Sequence, residues 1–390
     1  MIDRPDAPII RSVRLRLDFT KDRGTLQVVS SDFGPMSLSA GKIVYLRVDA
    51  APQSHTERPP MKPAKAALVL AIALLVVLVV VLLPRDGTGP SPTPGPIDAE
   101  ALAALDDHFT FLIASDLGRN GYYDQKPVAE MMGEVAEITG VEFIAALGDV
   151  HHFWGVRSID DPLWSTNYEW IYKHPELMIP WHPVLGNHEY RGNTQAVLDY
   201  ATVSRRWEMP GRYYSRTEPI SDANDALLLF IDTSSLVDKY RGDPEKFPDA
   251  GVQSMDAQLA WIDSTLGSSD AVWKIVMGHH PVYAGTNKEA RERDDLQARL
   301  QPLLDRHGVD VEVSGHIHNF QHIRVPGSDV DYVVNTSASL TREVVPFDGA
   351  IFGSPDPGFT LCTATDRELI MTFVNGQGKI IYQYSRSNAL

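Results

Sequence analysis

Five apolar runs in this chain each stop at a residue able to hold a cation. Residues 109–114 lead into Ser115-Asp116, 141–147 into Gly148-Asp149, and 183–185 into Gly186-Asn187. Residues 273–277 lead into Gly278-His279, and 309–313 into Gly315-His316. Runs this short, rich in Val, Ile, Leu and Phe, read as buried strands. In α/β sheets ligands gather at the carboxyl ends of strands, so such a fold brings the five end points together. Nine of the 13 histidines fall in the segments Ser115–Gly118, Gly148–His152, Gly186–Glu189, Gly278–His280 and Gly315–His318, or within four residues of them. Random scatter would not produce that, so the histidines are expected to serve one site.

The remaining pattern supports an α/β class. Leu259, Ile262 and Leu266 share one face of an expected helix over 254–266. Leu296, Leu300 and Leu303, stopped by Gly308, predict another, which Pro302 interrupts. Strands are expected at 227–231 and, in the tail, at 332–335, 359–363, 369–374 and 379–384, the last two joined by the turn Gly376-Gln377-Gly378. Strands that alternate with helices and then cluster imply an α/β sandwich.

Four stretches are expected along the chain. Residues 1–60 carry strand-like runs at 13–19, 26–29 and 43–48, a small β-rich or partly ordered cytoplasmic segment. Residues 66–83 are apolar without a charge, close to the minimum for a membrane-crossing helix. Arg58, Lys62 and Lys65 precede that run, which by the positive-inside bias keeps the N-terminus cytoplasmic and the rest extracytoplasmic. A buried core helix, or a signal peptide starting at Met61, are the competing readings; no small-residue cleavage site follows. Residues 84–97 are a Pro/Gly-rich linker and 98–390 the catalytic domain. The formal charge of −16 argues against a nucleic-acid-binding surface, while bound cations would reverse its sign locally for a phosphate. Cys362 is the only cysteine, which excludes an intramolecular disulfide and a thiolate metal site.

Asp, Asn and neutral His suit borderline or hard cations. Two such ions about 3.5–4 Å apart can share a carboxylate, hold a hydroxide between them and clamp a phosphoryl group. Taken singly, Asp116 and Asp149 read as turn residues, since Asp before Gly or after a strand commonly is one. The set of five motifs favours ligands. No Gly-x-Ser-x-Gly elbow, phosphate-binding Gly-x-x-x-x-Gly-Lys or dinucleotide fingerprint is present.

The motif set Asp-x-Gly, Gly-Asp-x-x, Gly-Asn-His-Glu, Gly-His-x-Pro and Gly-His-x-His resembles that of the calcineurin-like metallophosphoesterases. More narrowly it is similar to the small purple, or tartrate-resistant, acid phosphatases, over 108–385. The resemblance implies a four-layer α/β/β/α sandwich and an acid-phosphatase-like hydrolase of small-molecule or protein phosphoesters; a phosphodiesterase of the same fold, or a non-catalytic membrane-tethered binding protein, is the alternative. It implies a dinuclear centre of iron with iron, zinc or manganese. Asp149 would bridge the ions, with Asp116, His152 and His318 on the first and Asn187, His279 and His316 on the second. His188 would contact the phosphate or protonate the leaving alkoxide, with Asp149 beside it as the other catalytic residue. His151, a rival to His152, and His280 and His322 are the remaining candidates for substrate contact.

Two departures stand out. The purple enzymes have a tyrosine where this chain has His152, and its phenolate on ferric iron gives the colour. The wider superfamily usually has a histidine two residues after the first aspartate, where this chain has Gly118. His152 is therefore read as restoring an imidazole from another loop, which makes a divalent pair as admissible as iron.

Overall fold

The computed structural model describes residues 98–104 and 108–388. The expected N-terminal strands, the apolar run 66–83 and the linker 84–97 lie outside the described residues. Among the described residues, no helix is long and apolar enough to cross a membrane.

In chain order the strands begin with β1 (Phe109–Ala114), β2 (Ile144–Ala146), β3 (Trp181–Pro183), β4 (Tyr214–Pro219), β5 (Asp225–Phe230) and β6 (Trp273–Met277). They continue with β7 (Val311–Ser314), β8 (Phe320–Ile323), β9 (Asp331–Val334), β10 (Ala350–Ser354), β11 (Gly358–Ala364), β12 (Glu368–Asn375) and β13 (Ile380–Ser387). One sheet has six strands in the order β13-β12-β11-β1-β2-β3, the other seven in the order β10-β8-β9-β7-β6-β5-β4. Both are mixed. The strands β1, β2 and β3 run parallel, as do β5, β6, β7 and β9, and antiparallel neighbours complete each sheet.

The parallel strands are buried on both faces, which is why they appear as unbroken apolar runs rather than alternating ones. The two sheets meet face to face: Phe320 of β8 stacks on Phe373 of β12 with ring centroids 4.8 Å apart. Phe352 of β10 stacks on Tyr382 of β13 at 4.3 Å. Such aromatic pairs add about 1 kcal/mol each beyond their area burial. Helix Gln125–Thr139 packs on β1 and β11, and Gly140 ends it in the left-handed conformation.

The expected helix over 254–266 is Met255–Gly267, with Ser254 capping it by accepting from the Ala257 N–H at 3.2 Å. The one expected around Leu296 is two helices, Arg291–Arg299 and Gln301–Arg306. The break falls at Leu300, because Pro302 has no N–H to continue the ladder and starts the second helix instead.

Candidate metal centre

The carboxyl ends of β1, β2 and β3 in one sheet meet those of β6 and β7 in the other. Ser115, after β1, bridges to Ser337, after β9, and joins the sheets. The His316 N–H donates to Asp116 Oδ2 at 2.8 Å, and the His188 N–H to Asp149 Oδ1 at 2.9 Å. Each carboxylate therefore ties its own loop to another.

The approach is close enough to exclude side chains. A Cβ on Gly118 would lie 1.8 Å from the Val150 carbonyl oxygen, and one on Gly186 would lie 2.3 Å from Asp149 Oδ1. No histidine fits at position 118 in this backbone. Asp116, Asp149, His316 and His318 all adopt positive φ, 51° to 67°, a conformation that non-glycine residues hold only where the surroundings over-determine it. The Asp116 carbonyl is held there by the hydroxyls of Ser337 and Ser339, at 3.0 and 2.6 Å.

Asp116, His152 and His318 bring ligand atoms within 4.8 Å of one another, as do Asp116, Asp149 and His279, and Asp149, His152 and His188. Asp149 Oδ2 lies 3.2 Å from His279 Nε2, 3.5 Å from His152 Nε2 and 3.7 Å from His188 Nε2. His318 Nε2 is 3.0 Å from Asp116 Oδ1, and His316 Nδ1 is 3.2 Å from His279 Nε2. Asn187 lines the same cavity. All of the expected ligands are buried.

The far nitrogen of each ring is held by the protein. His279 Nδ1 donates to the Leu147 carbonyl at 2.7 Å, His152 Nδ1 to Gly118 at 3.0 Å and His318 Nδ1 to Leu340 at 2.5 Å. These bonds turn each Nε2 inward. His316 is reversed, with Nε2 on Glu292 Oε2 at 3.0 Å and Nδ1 turned inward.

The donor set fits cations by an observation independent of motifs. Asp116 Oδ1, His152 Nε2 and Asn187 Oδ1 are buried with no hydrogen-bond partner, a costly state for polar atoms unless an ion takes the place of water. Charge distribution agrees. Burial would raise Asp149, yet the His279 and His188 charges hold it well below the usual carboxylate range. Burial likewise opposes Asp116, and His318 holds it low. His279 is pushed up to about 9: burial disfavours its charge, and Asp149 outweighs burial. The two buried carboxylates thus stay ionised among the imidazoles.

Three expected substrate contacts lie away from the cavity lining. His151 points its ring edge at Trp164, with centroids 4.4 Å apart, and burial pushes it down to about 3. His280 is bound by Thr233 Oγ1 and Tyr240 OH, both at 2.9 Å. His322 sits on β8 between the sheets, bonded to Asp331 at 2.8 Å and Tyr382 at 2.9 Å. None of the three lines the cavity in front of the centre. Each follows a motif in sequence, and strand alternation or a turn directs it into the core instead.

Three further features were not anticipated. Glu189 accepts from the N–H groups of Gly186, Asp149 and His151 at 2.8, 2.8 and 3.0 Å, clamping two ligand loops together. Its place in Gly-Asn-His-Glu was the available signal. Glu292 had none, since helix Arg291–Arg299 reads as a solvated charged helix. The cavity, about 420 Å³, is also lined by Arg191, Lys239, Lys246, Lys288 and Arg342.

The calcineurin-like phosphoesterase family model matches residues 109–320. Purple acid phosphatase 4 of Arabidopsis thaliana is 32% identical over 300 residues, 73% of this chain and 85% of that protein. Tartrate-resistant acid phosphatase type 5 of Oryctolagus cuniculus is 27% identical over 269 residues, 65% of this chain and 82% of that protein. Among solved structures, GAP50, the anchor in the inner membrane complex of Plasmodium, superposes with a TM-score of 0.62 at 23% identity, covering 73% of this chain and 90% of that one; at that identity the likeness concerns the fold. With a buried His/Asp cluster, a family match over half the chain and purple acid phosphatase relatives at about 30% identity, the chain belongs to the calcineurin-like phosphoesterases, near the purple acid phosphatases, and is a phosphoric ester hydrolase with a dinuclear metal centre.

Proposed function

We propose that the chain is an acid-phosphatase-like phosphomonoesterase. Two ions would share Asp149, with Asp116, His152 and His318 holding the first and Asn187, His279 and His316 the second. The unpartnered Asp116, His152 and Asn187 atoms are the observation that carries this reading. Ions held there would acidify a coordinated water and neutralise the phosphate oxygens.

The protein's own groups supply the rest. The His188 Nδ1 proton is committed to the Phe153 carbonyl at 2.7 Å, so Nε2 is the atom that exchanges a proton with the leaving oxygen. Glu189 and the Leu147, Gly118 and Leu340 carbonyls keep the ligands in place as substrate binds. A neutral imidazole at position 152 favours trivalent iron less than a phenolate would, and divalent ions or an iron–zinc or iron–manganese pair suit the set. Helix Gln125–Thr139 on one sheet and Met255–Gly267 near the other are consistent with a four-layer α/β/β/α arrangement.

We further propose that 66–83 tethers the catalytic domain outside the cytoplasm, on the strength of that run's length and its basic flank. For the chemistry, rates on an aryl phosphate and its diester decide. Faster monoester hydrolysis supports the reading, and a preference for the diester makes the protein a phosphodiesterase.

A further inference from the structure

We propose that the preferred substrates are small phosphoesters whose leaving group carries a second anionic group, held by Arg191 and Lys246. This rests on the reading of the centre as a phosphoesterase and adds a recognition element to it.

The chain has 51 acidic residues against 35 Lys and Arg, so an average cation has carboxylates to spare around it. The cavity departs from that expectation. Of its five cations, only Lys239 forms an ion pair among the described residues, with Glu292 at 2.6 Å. Three carboxylates line the same wall. Asp149 faces His279, His152 and His188, and Glu292 is engaged by His316, Lys239 and Tyr240. That leaves the exposed Glu289 as the one remaining carboxylate in a lining with four cations that form no ion pair among the described residues.

Those four stand in two groups. Lys288 Nζ and the Arg342 guanidinium both donate to the His316 carbonyl, at 2.7 and 3.4 Å, so two like charges converge beside the metal ligands. The phosphate that is hydrolysed relieves that repulsion. In the second group, the Phe247 ring has the Arg191 guanidinium 5.8 Å from its centroid and the Lys246 ammonium at 5.3 Å.

Arg191 also fixes which end of the substrate the second group occupies. Its guanidinium donates to the Phe153 carbonyl at 3.3 Å and lies 3.3 Å from His188 Nδ1. His188 is the residue beside the departing oxygen, so the Arg191–Phe247–Lys246 wall faces the leaving group. A phosphate or carboxylate there gains charge-assisted hydrogen bonds, and the exposed Trp154 ring, 5.9 Å from the Arg191 guanidinium, offers an apolar body a surface. A cavity of about 420 Å³ suits a small molecule rather than a folded partner.

The test is steady-state kinetics of the full-length, metal-loaded protein on three esters of similar phenols: para-tolyl phosphate, its para-carboxymethyl analogue and its para-phosphonomethyl analogue. The methylene insulates the reacting oxygen, so rate differences report binding. We expect kcat/KM to rise at least about tenfold from the tolyl ester to the better of the two charged esters, mainly through KM, and to weaken with salt. Whichever analogue gains more identifies the second group as carboxylate or phosphate. In the Arg191→Gln/Lys246→Gln double variant that preference should collapse towards unity. Lys246→Gln alone, at an exposed position, should reduce it part of the way and guards against misfolding of the double variant. Equal kcat/KM for all three esters, or a preference that survives both variants, overturns the proposal while leaving the phosphatase reading intact. Hydrolysis of none of them by the unaltered protein overturns both.

Discussion

Gly118 and His152 form one structural decision taken at two positions. The Val150 carbonyl occupies the space a side chain at 118 would need, and the Gly118 carbonyl fixes the ring of His152 at 3.0 Å. Substituting Gly118 with Ala should therefore displace the 148–152 loop, lower the melting temperature by an amount worth about 1–3 kcal/mol and weaken binding at the Asp116/His152/His318 group. Calorimetry together with metal analysis checks both. Glu292 acts through His316. In Glu292→Gln the amide can no longer be relied on to accept from Nε2, and the ring loses its fixed tautomer. Metal affinity should fall about 10–100-fold, measured by competition with a chelator of known strength. An unchanged affinity would show that His316 needs no such support. The motif residues were legible in the sequence because ligands must be Asp, Asn or His whatever surrounds them. Glu292 and the five cavity cations were not, since only the packing of helix Arg291–Arg299 and of the separate segments carrying Arg191, Lys239, Lys246, Lys288 and Arg342 turns ordinary surface residue types toward the centre.

At the scale of elements, the strands that carry ligands were the readable ones. Burial on both faces writes an apolar run, as in β1 and β6, and both match expectation at each end. Strand β4 alternates between buried and exposed residues and includes Pro219, as an edge strand does, and helix Gln125–Thr139 contains Pro127 and Gly133. Neither is among the elements expected from the sequence. On β3, His182 packs between Phe143 and Phe230, centroids 5.0 and 5.7 Å away, and burial followed by the Arg216 charge pushes it down to about 4. The native state thus binds fewer protons than the unfolded chain between pH 6.5 and 4. His182 is neutral and neutral in effect above pH 6.5, and it costs stability progressively below it, up to about 3 kcal/mol. His182→Leu should flatten that part of the stability–pH curve in denaturant titrations; an unaltered slope would mean that the imidazole titrates normally. Removing the cap in Ser254→Ala should cost about 1 kcal/mol in the same measurement.

Across the whole molecule, two sheets supply ligands that neither could gather alone. Asp116, Asp149 and Asn187 come from the ends of β1, β2 and β3, and His279, His316 and His318 from the ends of β6 and β7. The meeting of those edges is what a strand-by-strand reading of the chain anticipates only in outline, because the pairing Ser115–Ser337 that joins them links residues far apart in sequence. The centre is thus a property of the sandwich. The most direct test is elemental analysis of the purified protein after metal loading and desalting, alongside Asp149→Ala. About two equivalents per chain are expected in the unaltered protein, and fewer than about one in the variant together with loss of aryl phosphate hydrolysis. Fewer than about one equivalent in the unaltered protein, or full activity in Asp149→Ala, would contradict a shared two-ion site.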